Sequence, residues 1–247
     1  MTEYYEITVG LAALTGLFSK DKDVEDLIDD NRPSIDRDKP DSSKTATFAM
    51  GCFWGPDGLF GAIPGVINTR VGYAGGTKED PTYHRLGDHT ETIQMDYDPD
   101  KISYKELLDI FWRDHDPTQA KSIQYMSIIF YHDEEQKKIA EKTKEKEQSK
   151  TSGTLITDIR DISRFYLAEG YHQKYHLSKH KQLYKAYKDI YPDLKEFIDS
   201  TAVTRVNGYI SGNGTLESKE DLKRLGLSEE GRDLLFKKWK SAGGKKI

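Results

Sequence analysis

Cys52 is the only cysteine in 247 residues, so its thiol cannot be consumed by a disulfide within the chain. It stands in the run Gly51-Cys52-Phe53-Trp54-Gly55, behind the apolar stretch 45–50 and ahead of Pro56 and Asp57. Free cysteine commonly fills space as a small buried apolar group. The neighbours suggest another use. The apolar stretch reads as a strand that ends at the glycine, and Pro56 suits the first turn of a helix. The sulfur would then sit at a strand end beside a helix N-terminus, where free N–H groups and the positive end of the helix dipole favour the thiolate. A thiolate can attack an electrophilic sulfur if an acid protonates the oxygen that must leave. Glu91, at the start of an alternating segment, is a candidate acid if an apolar pocket raises its pKa. Tyr83 and Tyr125 could hold the oxygen by hydrogen bonds. Each has an alternative, since glutamates at strand ends are commonly solvated and tyrosines among fifteen commonly pack.

Other chemistries find less support. A single cysteine excludes thiolate zinc and iron–sulfur sites. His172, His176 and His180 recur every four residues and could share a helix face, but no third ligand type is nominated beside them. They read as surface or hydrogen-bonded imidazoles, and neither a metal nor a bound cofactor is expected. Gly72, Gly75 and Gly76 follow a strand without the lysine-serine pair of a phosphate loop.

The elements that must position these residues alternate. Strands are expected at 45–49, 66–73, 91–97, 125–131 and 154–159. The third alternates with period two, as a half-buried strand does. Helices are expected at 54–63, from the capping box Ser103-Tyr104-Lys105-Glu106 through Leu107, Leu108, Phe111 and Trp112, at 133–150, and over 178–198 with a break near Pro192. The order β-α-β-β-α-β predicts an α+β chain, a ferredoxin-like two-layer α/β sandwich with a mixed sheet. Residues 1–43 read as an N-terminal extension, partly mobile, with room for a short helix at 2–18 or 21–28. The main domain spans 44–200. Residues 201–247 form a C-terminal tail, with a glycine-rich segment at 207–215 and then a small helical appendage packed through Leu222, Leu225, Leu234, Leu235, Phe236 and Trp239.

The composition narrows the function further. Net charge is −5, which argues against general nucleic-acid binding. Charged residues make up 32% of the chain, mean hydropathy is −0.76, and no stretch approaches the length of a membrane span. The apolar run 9–18 follows Glu3 and Glu6 rather than basic residues, so no secretory signal is read and a cytoplasmic location is expected.

Gly51-Cys52-Phe53-Trp54-Gly55 resembles the signature of the A-type peptide methionine sulfoxide reductases. The resemblance continues through 64–66, 69–76, Pro81-Thr82-Tyr83, His89-Thr90-Glu91, Tyr97-Asp98-Pro99, 103–112, His115-Asp116-Pro117-Thr118, Gln124-Tyr125 and 130–136. It closes at Tyr171-His172-Gln173 and Tyr175, so it covers 45–176. It implies an α/β sandwich that reduces the S-epimer of methionine sulfoxide, free or within an oxidised protein. Residues 44–200 would be the reductase domain. Cys52 would be the nucleophile and emerge as a sulfenic acid. Glu91 would protonate the sulfoxide oxygen, with Tyr83 and Tyr125 bonding it. Phe53 and Trp54 would receive the methyl group, with Tyr175 completing the substrate site.

This chain departs from the family pattern at several places. Asp57 stands where relatives commonly have glutamate, and Met126 replaces the usual arginine. The loops before His89 and between Thr118 and Gln124 are short, and the second lacks the aspartate many relatives carry. Gly208-Tyr209-Ile210-Ser211 resembles a Gly-Tyr-Cys-Gly stretch, with Ile210 in the place of the recycling cysteine. The sulfenic acid is therefore expected to need an external thiol, such as thioredoxin, glutaredoxin or a small thiol. The alternative is a non-catalytic module that binds methionine or its sulfoxide through Phe53 and Trp54. Retention of the cysteine, the glutamate and both tyrosines favours the enzyme.

Overall fold

The computed structural model describes residues 31–38, 40–216 and 219–244. The helices expected at 2–18 or 21–28 lie outside the described residues. Residues from Arg32 onward form one unit. In chain order its strands are β1 (Lys44–Met50), β2 (Val66–Ala74), β3 (Thr90–Tyr97), β4 (Ser127–Tyr131), β5 (Asp158–Asp161) and β6 (Phe165–Leu167). Its helices are α1 (Ser34–Arg37), α2 (Trp54–Gly61), α3 (Tyr104–Arg113), α4 (Glu134–Gln148), α5 (Tyr175–Ser178), α6 (Lys181–Ile190), α7 (Leu194–Asp199), α8 (Thr201–Ile210) and α9 (Glu229–Ser241).

One six-stranded sheet has the order β5-β4-β1-β3-β2-β6. Its four central strands, β4-β1-β3-β2, are antiparallel to one another, and β3 lies between β1 and β2 as in a split βαβ unit. β5 adds in parallel to β4 and β6 antiparallel to β2, which makes the sheet mixed. The central place of β3 corrects the expectation of a half-buried strand, because seven of its eight residues are buried. Both of its faces are covered. Ile93, Met95 and Tyr97 join Ala46, Phe48 and Met50 of β1 and the apolar stripe of α3 in the main core. On the second face its polar side chains find partners on β1 and β2. Arg70 donates to Gln94 at 2.8 Å and to Asp96 at 2.7 Å, and Gln94 donates to Thr47 at 3.0 Å. A strand can carry this many polar residues in a sheet interior only when each finds a partner.

The α3 capping box forms as read. The Glu106 N–H donates to Ser103 Oγ at 3.2 Å, and the Ser103 N–H donates to Glu106 Oε2 at 2.8 Å. Two expected strands are displaced. The segment read as a strand from 125 begins with a 3₁₀ turn, Ile123–Tyr125, and β4 starts only at Ser127. The strand expected at 154–159 forms at Asp158–Asp161.

The chain beyond 200 is no separate tail. Thr201–Ile210 is helical and almost wholly buried, and it packs on α2 so closely that a Cβ on Gly61 would meet Thr204 O at 2.8 Å. The Arg205 guanidinium, buried, donates to the carbonyls of Gly61 (2.8 Å) and Val66 (2.9 Å) and so closes the connection from α2 to β2. Ala202, Val203, Val206 and Ile210 share one apolar cluster with Leu183, Tyr187 and Phe197 before them and Leu222, Leu235 and Trp239 after them. The glycine-rich segment 207–215 begins inside α8, where Gly208 lets the helix approach Ala62, whose N would lie 2.6 Å from an added Cβ. Part of the 1–43 extension is also built in. The carboxylate of Asp36, 6% exposed, accepts from the N–H of Thr201 and Ala202 and from the hydroxyls of Tyr191 and Ser200. It thereby caps the N-terminus of α8.

Candidate active site

β1 ends at Met50, and Gly51 turns the chain out with a φ of +101°, a conformation that suits glycine. Cys52 follows, exposed, one residue before the N-cap of α2. The β1–β3 register pairs Phe48 with Ile93, and continuing it brings Glu91 to the end of β1. The β2–β3 register sets Tyr73 opposite Glu91. The carboxylate of Glu91, 1% exposed, accepts from the Phe53 N–H at 3.1 Å and from Gln124 Nε2 at 2.8 Å. The acid is thus tied to the residue after the cysteine and to the 3₁₀ turn that carries Tyr125.

The electrostatics reverse one expectation. Partial desolvation of the sulfur by the surrounding side chains pushes the Cys52 thiol up, and a hydrogen bond from the Trp54 N–H pulls it down by less. The charge of Glu91 adds a further rise. The helix start therefore does not yield a resting thiolate, because burial and a neighbouring carboxylate outweigh one donated N–H. Glu91 itself is raised by burial, against the lowering effects of Gln124 and the Phe53 N–H. A carboxyl held in this way keeps its proton above the usual carboxylate range, as a proton donor requires. Tyr125 is pushed up to about 12, by burial first and then by the charge of Glu91, with Tyr83 and Cys52 contributing. These four side chains, read separately from the sequence, thus lie within reach of one another's fields.

The aromatic side is layered. The Trp54 ring stacks on Tyr175 with centroids 3.7 Å apart and planes 5° from parallel, and Lys179 Nζ lies over the tyrosine ring, 4.2 Å from its centroid. Tyr175 therefore acts through Trp54 as its backing. Phe53 is 1% exposed, with its ring against Tyr73 and His172. It forms the floor behind Trp54 and offers little surface of its own.

Several contributors escaped the sequence reading. His172 was read as a surface or hydrogen-bonded imidazole. It is 2% exposed, neither ring nitrogen has a hydrogen-bond partner, and it is enclosed by Phe53, Trp54, Tyr83 and Tyr171. Burial lowers its pKa, so it is a neutral ring. His176 instead bonds the Trp54 carbonyl at 3.0 Å. Glu169 accepts from the Tyr83 N–H at 3.0 Å and from the Tyr73 hydroxyl at 2.8 Å, which fixes the loop bearing Tyr83. Beneath the site Lys174, fully buried, bonds Asp57 Oδ1 at 3.1 Å and the Thr69 hydroxyl at 2.5 Å, and Asn207 donates to the other oxygen of Asp57 at 2.9 Å. Asp57, noted above only as a departure from glutamate, is the centre of that network. Gln124 stood within the matched stretch Gln124-Tyr125 without a role, and the signal for Glu169 and Lys174 was adjacency alone, since each neighbours a residue or motif already singled out.

Comparison with known proteins agrees with this geometry. A family model described as Peptide methionine sulfoxide reductase matches residues 44–205. A Drosophila melanogaster peptide methionine sulfoxide reductase is 46% identical over 196 residues, covering 78% of this chain and 78% of its own length. MsrA of Methanococcus maripaludis is 41% identical over 152 residues, 58% of this chain and 97% of that protein. Among solved structures, reduced Mxr1 from Saccharomyces cerevisiae aligns with a TM-score of 0.54 at 35% identity, over 58% of this chain and 89% of that one. Methionine sulfoxide reductase A of Corynebacterium diphtheriae aligns with a TM-score of 0.51 at 31% identity, over 59% and 78%. The chain belongs to the peptide methionine sulfoxide reductase family, oxidoreductases that act on sulfur by reducing methionine sulfoxide.

Proposed function

We propose that the chain reduces the S-epimer of methionine sulfoxide, free or within an oxidised protein, with Cys52 as nucleophile and Glu91 as acid. The Cys52 sulfur attacks the sulfoxide sulfur and forms an S–S bond. Glu91 gives its proton to the sulfoxide oxygen, which the hydroxyls of Tyr83 and Tyr125 hold, and the thiol proton of Cys52 replaces it on the carboxyl. The S–S bond then breaks as the oxygen passes to the Cys52 sulfur, so the substrate S–O bond is lost, an S–O bond forms on Cys52, and the products are a thioether and a sulfenic acid. Methionine sulfur gains two electrons and the cysteine loses two. The observation that carries this reading is the Glu91 carboxylate anchored at 3.1 Å to the N–H next to the nucleophile, in a position 1% exposed. Trp54, backed by Tyr175, and Phe53 behind it offer an apolar wall for the methyl group. With the methyl on that wall and the oxygen at Glu91, the other epimer would have to exchange the two.

Recycling in this proposal comes from outside. The chain holds no second cysteine. One external thiol condenses with the sulfenic acid to a mixed disulfide and water, and a second releases Cys52 as a thiol. A thioredoxin- or glutaredoxin-type protein or a small thiol fits this role, and the exposure of Cys52 supports access for such a donor. A reducing compartment such as the cytoplasm suits a lone catalytic thiol. No helix among the described residues is long and apolar enough to cross a membrane.

Turnover of a methionine S-sulfoxide substrate with dithiothreitol tests the proposal in wild type, Cys52→Ser and Glu91→Gln. Cys52→Ser should be inactive, and one turnover of wild type without reductant should leave one trappable sulfenic acid. Equal rates in all three proteins would refute it.

A further inference from the structure

Gln124 sits in the short turn Ile123–Tyr125, which is fastened to the start of β3 at two points. Thr90 Oγ1 donates to the Ile123 carbonyl at 2.6 Å, and Gln124 Nε2 donates to Glu91 Oε1 at 2.8 Å. The other carboxylate oxygen of Glu91 is taken by the Phe53 N–H. One donor alone would leave the carboxyl free to swing about that contact. Two donors, one on each oxygen, define its plane. The same turn carries Tyr125, so whatever holds the turn on β3 also sets the phenol against the acid. The loop before the turn, Gln119-Ala120-Lys121-Ser122, supplies no acid to share this work.

We propose that Gln124 is a positioning residue for Glu91. Its side-chain amide fixes the carboxyl in the orientation that meets an oxygen held by Tyr83 and Tyr125, and it sets how readily the acid gives up its proton. The inference rests on Glu91 being the proton donor. The sign follows from the donor. An amide N–H stabilises the ionised carboxylate, so Gln124 restrains the rise that burial imposes. The ionisable groups that face Glu91 are Cys52 from the β1–α2 turn, Tyr73 from β2 and Tyr125 from the 3₁₀ turn, with Tyr83 beside Tyr125, and Lys121 from the loop before that turn brings its ammonium to Gly51, 3.3 Å from where a Cβ would stand. Cys52, Tyr73 and Tyr125 are all pushed up and so are uncharged at neutral pH. The amide and the Phe53 N–H are therefore what oppose burial at this carboxyl.

The test is a carbon-13 NMR titration of the Glu91 carboxyl in the full chain, with the resonance assigned by its loss in Glu91→Gln. Wild type is compared with Gln124→Leu and Gln124→Asn, whose amide is one carbon too short to keep the 2.8 Å contact. The Glu91 midpoint should rise by about one pH unit in both variants. The alkaline limb of single-turnover sulfenic acid formation should move up with it. An unmoved midpoint overturns the proposal, as does a moved midpoint with an unmoved limb. Should Gln124→Leu fail to fold, Gln124→Asn decides. The titration needs no turnover, so it still judges the Gln124–Glu91 link if the chain proved inactive on methionine sulfoxide.

Discussion

Trp54 and Tyr175, 121 positions apart in a chain numbered from Met1, lie face to face with ring centroids 3.7 Å apart. One side of the indole is thereby used up, so the proposed methyl site is confined to its remaining surface. An aromatic pair of this kind contributes about 0.5–1.5 kcal/mol beyond its buried area. Tyr175→Leu should therefore lower kcat/KM for a methionine S-sulfoxide substrate by roughly three- to tenfold, mainly through KM. Tyr175→Phe, which keeps the stack, should stay near wild type. Steady-state kinetics of the two variants check this, and equal losses in both would show that the hydroxyl matters and not the stack.

The charge of Glu91 raises the pKa of Cys52, and burial raises that of Glu91 itself. Removing the charge must therefore lower the cysteine. In Glu91→Gln the pH at which Cys52 becomes half alkylated by iodoacetamide should fall, although reduction of sulfoxide slows by about 10²–10⁴-fold for want of the acid. The decline of the wild-type rate as pH rises through the raised Glu91 pKa should also vanish. A cysteine midpoint that stays put or rises would contradict the proximity of the two groups.

Lys174 and Asp57 form an ion pair with side chains 0% and 1% exposed. Truncating one partner strands the other without solvent. Lys174→Met should cost about 3–5 kcal/mol, read as a lowered urea midpoint. The double variant Lys174→Met with Asp57→Asn should cost less than the sum of the two single changes, because the stranded charge goes too. Additive losses would mean that the pair is not coupled.

By the resemblance, Ile210 stands where many relatives carry a recycling cysteine, yet it is 7% exposed as the last residue of α8. A disulfide needs its two Cα atoms within about 7 Å and free to align. A thiol packed in the α8 cluster is not free to meet Cys52 without unwinding that helix. Ile210→Cys should still depend on an external thiol for each turnover. Mass analysis after one turnover should find sulfenic acid at Cys52 and no intramolecular disulfide.

Much of the framework was legible in local pattern. The capping box of α3, the apolar-to-glycine stop before Cys52 and the order of the first four strands all depend on near neighbours in sequence. β6 and α8 were missed for the opposite reason. β6 is three residues held by pairing with Gly72–Ala74, and α8 has five β-branched residues and a glycine among its ten, helical because it is buried against α2. Local propensity is too weak to announce either.

The residues themselves determined that one thiol is available, that no internal disulfide can rescue it, and that an acid and two phenols stand in the pattern of a known family. Only the folded chain decided how those groups titrate and what holds them. The Phe53 N–H meets Glu91 across 38 positions, and the Tyr83 N–H meets Glu169 across 86. Proton affinity depends on burial and on charges within a few ångströms, and neither is a property of sequence neighbours. For that reason Cys52, placed by its sequence at a helix start that should favour thiolate, is held as a thiol by desolvation first and by the Glu91 carboxylate beside it in smaller part.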